Sequence, residues 1–507
     1  MRYTLGIDLG TSSLKALLLG EDGTTIGSTT RGYAISVPRP GWAEQDPVHW
    51  WEACRDAIRS LLAETGVAGT ECAAIALGGQ MHGTVLLDAA GLLVRPAIIW
   101  PDQRAIEEAA EANAVLEEQD LLAQVGGGVS PGFMLATLLW LRRHEPATWA
   151  RAHTTLLPKD YLRHRLTGLL AGEASDGSGI PAIDLRSWQW SADLLHALDL
   201  PARLLPPLLP SAAVAGTLTV QAARACGLQP GLPVLCGGSD QAMAAIGSGL
   251  VHPGTLLISI STGGQLVTPL AAPLPAPAHG LRTLCHALPE QPSGARTYLA
   301  LAATLGAGLS VRWLRKQFGM DDPAAPDARL LDEAAQAPPG AGGLLFLPYL
   351  AGERAPLLDP AASGAFIGLR LDHGRAHLAR AVLEGIAFSL RHALEPLQTA
   401  GVAVERIVLA GGLAQSTLMR DIVAGVLNQP VVPLETAEQS ALGAALLAAA
   451  HARFFPSLPD ACAAVVRFAP PVLPDPAQAA IYQALYPRYR GLYPTLRADM
   501  HALRMLE

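Results

Sequence analysis

Short apolar runs broken by glycines open the chain. YTLGIDLG at 3–10 and SLKALLLG at 13–20 flank a small polar tip, and EDG at 21–23 separates the second run from TTIGSTTRGYAI at 24–35. Runs of this length bounded by turn residues predict strand, tight turn, strand, turn, strand. DPVHWWEACRDAIRSLLAETG then carries apolar residues at helical spacing up to Gly66, and CAAIALGG at 72–79 is a short buried strand. Strands and helices alternate, as in a layered α/β domain.

The pattern restarts past the middle. GSGLVHPG at 247–254 is a small-residue connector, and TLLISISTGGQLVTPL at 255–270 repeats strand, glycine turn, strand. Further on, LARAVLEGIAFSLRHALEPL predicts a buried helix, and RIVLAGG followed by STLMRDIVAGVLNQP predicts strand, glycine pair and a helix stopped by Pro430. Proline-rich pieces at 271–278 and 336–340 read as surface loops.

At 507 residues the chain is long enough for two domains, each with its own core. The expected division is 1–248, 254–452 and a helical extension over 453–507. Charged residues make up 16% against 50% hydrophobic, yet apolar runs such as ALGAALLAAA at 441–450 fall short of the ~20 residues a bilayer requires. No signal-like segment opens the chain, so the expected location is cytoplasmic. A net charge of −8 without a basic run argues against nucleic acid or an anionic membrane as partner and favours a small molecule. The six cysteines are scattered without a C-x-x-C pair, which argues against zinc and a disulfide framework.

DLGTSSLK at 8–15 lacks P-loop spacing. Gly10, Thr11 and Ser12 nevertheless gather backbone N–H groups and hydroxyls at a hairpin tip, and Asp8 beside them can hold Mg²⁺ through water. A plain hairpin with a solvated Asp accounts for the same residues. ISTGG at 260–264 has the same chemistry in the second half, and two such turns facing one another would bracket a triphosphate. In LCGGSDQAMAAIG at 235–247, Asp240 reads equally as a helix cap, a neighbour of a phosphate turn or a proton acceptor.

GIDLGTSSLK, PGWAEQDPVHWW, GGQMHG, PAIIWPDQR, LLPKDYLRHRLTG, GGSDQA, FLPYLAGERAP, GAFIGLRLDHGRAHLARAVLEG and LAGGLAQSTLMRDIVAGVLNQPV occur in the order found in the FGGY carbohydrate kinases. Within that family GGQMHG and CHALP at 285–289 resemble the xylulokinase branch most. The resemblance implies an α/β fold of two ribonuclease-H-like domains, of the actin and hexokinase ATPase type, flanking a catalytic cleft. It implies ATP and Mg²⁺ as cofactors, a small sugar as substrate, phosphorylation of D-xylulose as the reaction, and allows a homodimer. A kinase for another ketose, polyol or sugar acid is the alternative, and an actin-like ATPase or sugar sensor without transfer activity a more distant one.

By the same resemblance Asp240 is the proton acceptor and Asp8 the acid that handles Mg-ATP. Met81, His82, Asp240, Gln241 and Trp100 are the sugar-site candidates. Nucleotide candidates are Gly10, Thr11, Ser12, Lys15, Thr262, Gly263, Gly306, Gly411, Gly412 and Ser416, the last equally a helix cap. A carboxylate at a helix start is favoured as the anion, so an ordinary acidity is expected for Asp240. Asp102 and Arg104 can simply pair. Thr137, Pro101, Gln415 and Gln241 depart from the family pattern.

Overall fold

The computed structural model describes residues 1–275, 280–291, 293–320, 327–436 and 438–506. The opening meander forms as expected: β1 (Tyr3–Leu9), β2 (Ser13–Gly20) and β3 (Thr25–Gly32). Helix α1 (Pro47–Thr65) follows, capped by Asp46 and closed by Gly66 in the left-handed conformation at φ 70°. It buries Trp50, Ala53, Cys54, Ala57, Ile58 and Leu61. That three-and-four spacing puts one apolar stripe on the sheet, each large side chain contributing about 1.5–3 kcal/mol by leaving water.

Strand β4 (Cys72–Gly79) lies parallel to β1. The same half of the chain adds α2 (Pro158–Thr167), β5 (Val214–Thr217), β6 (Pro233–Leu235), β7 (Gly238–Ser239) and α3 (Asp240–Gly247). The second half holds β8 (Gly254–Ile260), β9 (Gly264–Leu270), β10 (Arg282–Cys285), β11 (Tyr298–Thr304), α4 (Arg375–Thr399), β12 (Val404–Ala410), α5 (Thr417–Leu427), β13 (Val431–Pro433), α6 (Gln439–His451), α7 (Leu458–Val465) and α8 (Pro476–Arg504).

The sheets repeat one topology. The first runs β5-β6-β4-β1-β2-β3 with β7 beside β4, and the second runs β10-β11-β9-β8-β12-β13. In each, an antiparallel meander continues on one side into parallel strands: β1 to β4 and β6 in the first, β8 to β12 and β13 in the second. This is the twofold ribonuclease-H-like arrangement that the repeated strand-turn-strand starts predict.

Helices α3 and α6 pack against one another within a core cluster that draws residues from both sheets, and small residues allow their close approach. A β-carbon on Gly443 would sit 1.8 Å from the Met243 carbonyl oxygen, and one on Gly6 of β1 would sit 2.0 Å from that of Ala441. The apolar run at 441–450 is therefore the buried face of α6, its alanines and glycine fitted to backbone rather than to lipid. Among the described residues, no helix is long and apolar enough to cross a membrane.

One detail differs from the sequence-based expectation. Helix α5 stops at Asn428, left-handed at φ 52°, two residues before Pro430. Asn tolerates that conformation, so the cap ends the helix before proline has to. Of the proline-rich pieces, 336–340 forms a turn with Pro338 and Pro339 exposed, while 276–278 lies outside the described residues. Beyond α6, α8 docks on α4 through a buried polar cluster: Arg380 Nε donates to Glu384 Oε1 at 2.7 Å, and Tyr482 Oη donates to the same oxygen at 2.8 Å.

Candidate active site

Three parallel strands of the first sheet end together. Asp8 of β1 is in register with Gly78 of β4, and Gly78 is in turn in register with Gly238 of β7. Chain leaving β4 carries Met81 and His82, and chain leaving β7 enters α3 at Asp240. Carboxyl ends of parallel strands are where α/β folds assemble ligand sites, because side chains from several strands converge there without blocking one another. The second sheet does the same with β8 and β12, whose ends lead into Thr262–Gly263 and Gly411–Gly412. Beyond β13 the chain turns into α6, whose second residue, Ser440, donates a 2.9 Å hydrogen bond to Asp8 Oδ1. The start of α6, which follows β13 of the second sheet, therefore meets the end of β1.

The cap of α3 is Ser239, whose Oγ accepts the Ala242 N–H at 3.2 Å; Asp240 is the first helical residue. Its Oδ1 accepts the N–H of Gln241 at 2.7 Å. Burial first, and then the neighbouring Asp8, push the Asp240 carboxyl up to about 7. The expectation of an ordinary acidity is thus overturned. An eight-residue helix start gives one hydrogen bond and a weak dipole, and desolvation beside a second carboxyl outweighs both. Asp8 is itself raised by burial, with the Ser440 hydrogen bond and the Lys15 charge pulling the other way.

His82 takes a left-handed backbone at φ 76°, uncommon for a residue with a β-carbon, between Met81 and Gly83. Its ring stacks on Phe133, centroids 3.8 Å apart and planes 7° apart. Burial, then the charge of Arg282, hold it well below the ordinary imidazole value, so it is neutral. Its Nδ1 is buried without a hydrogen-bond partner, leaving a polar atom for a ligand to satisfy. Met81 is buried, and Gln241 is partly buried one residue after Asp240. Trp100 is 40% exposed and donates its indole N–H to Thr11 Oγ1 at 2.8 Å, so it stands over the first phosphate-capable turn.

That turn is braced from three sides. Besides Trp100, Gln45 Nε2 donates to the Thr11 carbonyl at 2.7 Å, and Tyr33 Oη donates to the Gly10 carbonyl. Ser12 is exposed at the tip. In the opposing turn, Thr262 is exposed and its Oγ1 accepts from Arg312 Nη2 at 3.2 Å; a β-carbon on Gly263 would meet the Thr304 carbonyl at 2.4 Å. The glycine pair divides in purpose. Gly411, at φ 91°, would place a β-carbon 2.5 Å from the Ile260 carbonyl oxygen, whereas a β-carbon on Gly412 would face open space. Gly306 is required by packing in the same way as Gly411, 1.9 Å from the Pro348 carbonyl oxygen. Ser416 caps α5, its Oγ accepting the Met419 N–H at 3.3 Å. Lys15 is committed to an ion pair with Glu438, 2.6 Å away at the entry to α6.

Asp102 and Arg104 do pair, bidentately at 2.9 and 2.8 Å, fully buried beneath Trp42. Thr137 is buried and shares a 2.5 Å hydrogen bond with Thr84, while Gln415 is exposed. Several residues beside the site were not among the sequence-based site candidates. Lys159 lies buried between Asp160 at 2.5 Å, Glu173 at 3.8 Å and Asp176 at 3.9 Å. Glu173 accepts the N–H groups of Ser175 and Asp176, and Ser175 Oγ accepts the N–H of Ser239, so this cluster braces the turn that carries Asp240. Ser440, Phe133 and Arg282 reach the site from distant parts of the chain and could be found only by folding it.

Comparison with known proteins agrees with this geometry. Residues 3–247 match the N-terminal domain, and residues 256–452 the C-terminal domain, of the FGGY family of carbohydrate kinases. The chain is 35% identical over 499 residues to the xylulose kinase of Escherichia coli (strain K12), covering 97% of this chain and 99% of that one. It is 35% identical to the xylulose kinase of Lactococcus lactis subsp. lactis (strain IL1403), over 99% of each. The crystal structure of the xylulose kinase from Rhodospirillum rubrum superposes with a TM-score of 0.90 at 34% identity, covering 99% of this chain and 100% of that one. Two strand-end sites on repeated sheets, matched in both halves by one family, have a single reading: this chain belongs to the FGGY family of carbohydrate kinases.

Proposed function

We propose that the protein transfers the γ-phosphoryl group of ATP to the terminal hydroxyl of D-xylulose, releasing D-xylulose 5-phosphate and ADP. The observation that carries this reading is the Asp240–Asp8 pair at the joined strand ends, with the Thr262–Gly263 turn as its counterpart in the other half. Phosphoryl transfer passes through a loose transition state and asks mainly for alignment, charge neutralisation and a late proton acceptor. Asp240, with its carboxyl raised to about 7, is ionised in a large part of the molecules at neutral pH and binds the hydroxyl proton readily once it is released.

In this reading His82 offers its unpartnered Nδ1 to a sugar hydroxyl, Met81 supplies an apolar wall, and Gln241 adds an amide beside Asp240. The nucleotide phosphates lie between the two hairpin turns, with Gly412 leaving room for close approach of the nucleotide. Asp8 suits Mg²⁺: one oxygen is held by Ser440, and its charge raises the proton affinity of the neighbouring Asp240, a repulsion that a divalent cation relieves. When bound, the ion neutralises charge on the phosphate oxygens. Closure of the two halves excludes water from the reacting phosphoryl group.

A coupled ADP-release assay over a panel of pentuloses, aldoses and polyols tests the reading. Turnover dependent on D-xylulose supports it. ATP hydrolysis indifferent to added sugar sinks the kinase assignment, and turnover confined to another sugar replaces the substrate.

A further inference from the structure

A single helical turn, Ala174–Gly177, and the two residues after it run between groups of the candidate sugar site. At its start Ser175 Oγ accepts the N–H of Ser239, the residue before Asp240, at 3.1 Å. At its end a β-carbon built on Gly179 would lie 2.3 Å from Met81 Cε and 3.4 Å from His82 Cε1. Asp176 lies between these two contacts, and its carbonyl oxygen accepts the Gly179 N–H at 2.9 Å. It is fully buried.

Neither oxygen of its carboxyl has a hydrogen-bond partner among the described residues. Lys159 Nζ lies 3.9 Å from Oδ2, beyond hydrogen-bonding distance, because it is drawn to Asp160 Oδ1 at 2.5 Å. Charge balance gives the reason. Lys159 and Arg163 are the cations of this cluster, and two other acids already match them: Asp160 pairs with both, and Glu173 lies 3.8 Å from Lys159 while accepting the N–H groups of Ser175 and Asp176. Asp176 is the surplus acid. Burial raises its carboxyl well above the ordinary range; Lys159 opposes the rise, and Asp160, Glu173 and Asp240 add to it, so the group keeps its proton at neutral pH. A protonated carboxyl offers one donor and one acceptor, and burying both unused is a cost that packing alone does not return.

We propose that Asp176 is a further substrate-binding residue, its carboxyl pairing with an oxygen of the sugar between Met81, His82 and Asp240. The proposal rests on the reading that those three residues hold the sugar. A polyhydroxy chain matches the group on both counts: one of its oxygens accepts the carboxyl O–H, and a neighbouring hydroxyl donates to the carboxyl's carbonyl oxygen.

KM values for sugar and ATP are measured on the wild-type enzyme, Asp176→Asn and Asp176→Ala, with D-xylulose or whichever sugar of the panel the wild type turns over. Asp176→Ala is expected to raise the sugar KM about tenfold, as the loss of one or two hydrogen bonds requires, and to leave the ATP KM unmoved. Asp176→Asn keeps the shape of a protonated carboxyl with a donor and an acceptor, and should stay within about threefold of wild type. Neither variant should lower the melting temperature, since Lys159 and Arg163 keep their two matching carboxylates.

A lowered melting temperature in both variants with an unmoved sugar KM overturns the proposal and makes Asp176 a counter-charge of Lys159. Equal rises in the sugar and ATP KM overturn it too. A wild-type protein that binds no sugar removes the proposal together with the reading beneath it, whereas sugar turnover that Asp176→Ala leaves unchanged removes the proposal alone. Infrared difference spectra of Asp240→Asn with and without saturating sugar need no Asp176 variant: the carbonyl stretch of a protonated carboxyl should shift as the sugar binds. An unshifted band also overturns the proposal.

Discussion

Ser440 Oγ donates a 2.9 Å hydrogen bond to Asp8 Oδ1, joining the start of α6 to the end of β1 across 432 positions of sequence. The bond holds the carboxylate in one orientation and draws its acidity back toward the ordinary range against burial. Ser440→Ala should therefore raise the proton affinity of Asp8 and lower kcat about tenfold or more below neutral pH, as expected when a hydrogen bond to a charged group is lost. Ser440→Thr should restore most of it. A pH profile of kcat identical to wild type in Ser440→Ala would remove the positioning role.

Asp240 predicts a limb in the rate profile. Because its carboxyl is raised to about 7, kcat/KM should climb through that pH as the proton leaves, and Asp240→Asn should lose the limb along with about 10²–10⁴-fold in rate. Stability has the opposite sign. An acid whose folded pKa is raised favours folding fully below its unfolded value near 3.8 and loses that contribution as pH rises through about 7. Asp240→Asn should thus be more stable than wild type at pH 8, by on the order of 2 kcal/mol after allowance for partial exposure, and indistinguishable at pH 3.5. Urea unfolding at the two values checks it.

The glycine pair after β12 separates packing from ligand approach. Gly411→Ala forces a β-carbon into a left-handed position 2.5 Å from a carbonyl oxygen and should cost about 2–4 kcal/mol in unfolding free energy. Gly412→Ala meets nothing and should leave the melting temperature unchanged while raising the KM for ATP. Equal melting temperatures for the two variants would contradict the division.

The Asp102–Arg104 pair is structural. Asp102→Ala leaves a buried guanidinium against Trp42 with only Glu44 to hold it, and should lose about 3–5 kcal/mol of stability. Kinetic constants measured well below the melting point should stay near wild type. A large change in sugar KM without loss of stability would return Asp102 to the site.

Local chemistry was legible in the sequence wherever it is local in space. The meander, the Gly66 stop, the cap at Ser416 and the two small-residue turns each depend on neighbours within a few positions, so spacing and turn chemistry were enough. The ordered motifs placed Asp8, Asp240, Met81 and His82, and the fold brings all four to adjoining strand ends.

Quantities set by surroundings were not legible. Helix position alone argued for an ordinary Asp240; its raised acidity comes from burial and from Asp8, which is distant in sequence and adjacent only because β1, β4 and β7 end together. Lys15 read as a nucleotide candidate; only the fold shows that it pairs with Glu438, distant in sequence. Gly306 and Gly411 are demanded by protein backbone that no local pattern contains. Arg282 and Ser440 carry no motif at all, and acquire meaning only where the second sheet meets the first. The sequence by itself determined the repeated units and the residues able to do chemistry. Tertiary structure decided their charges, their partners and which of them share one site, because desolvation and Coulomb interaction depend on distance through space rather than along the chain.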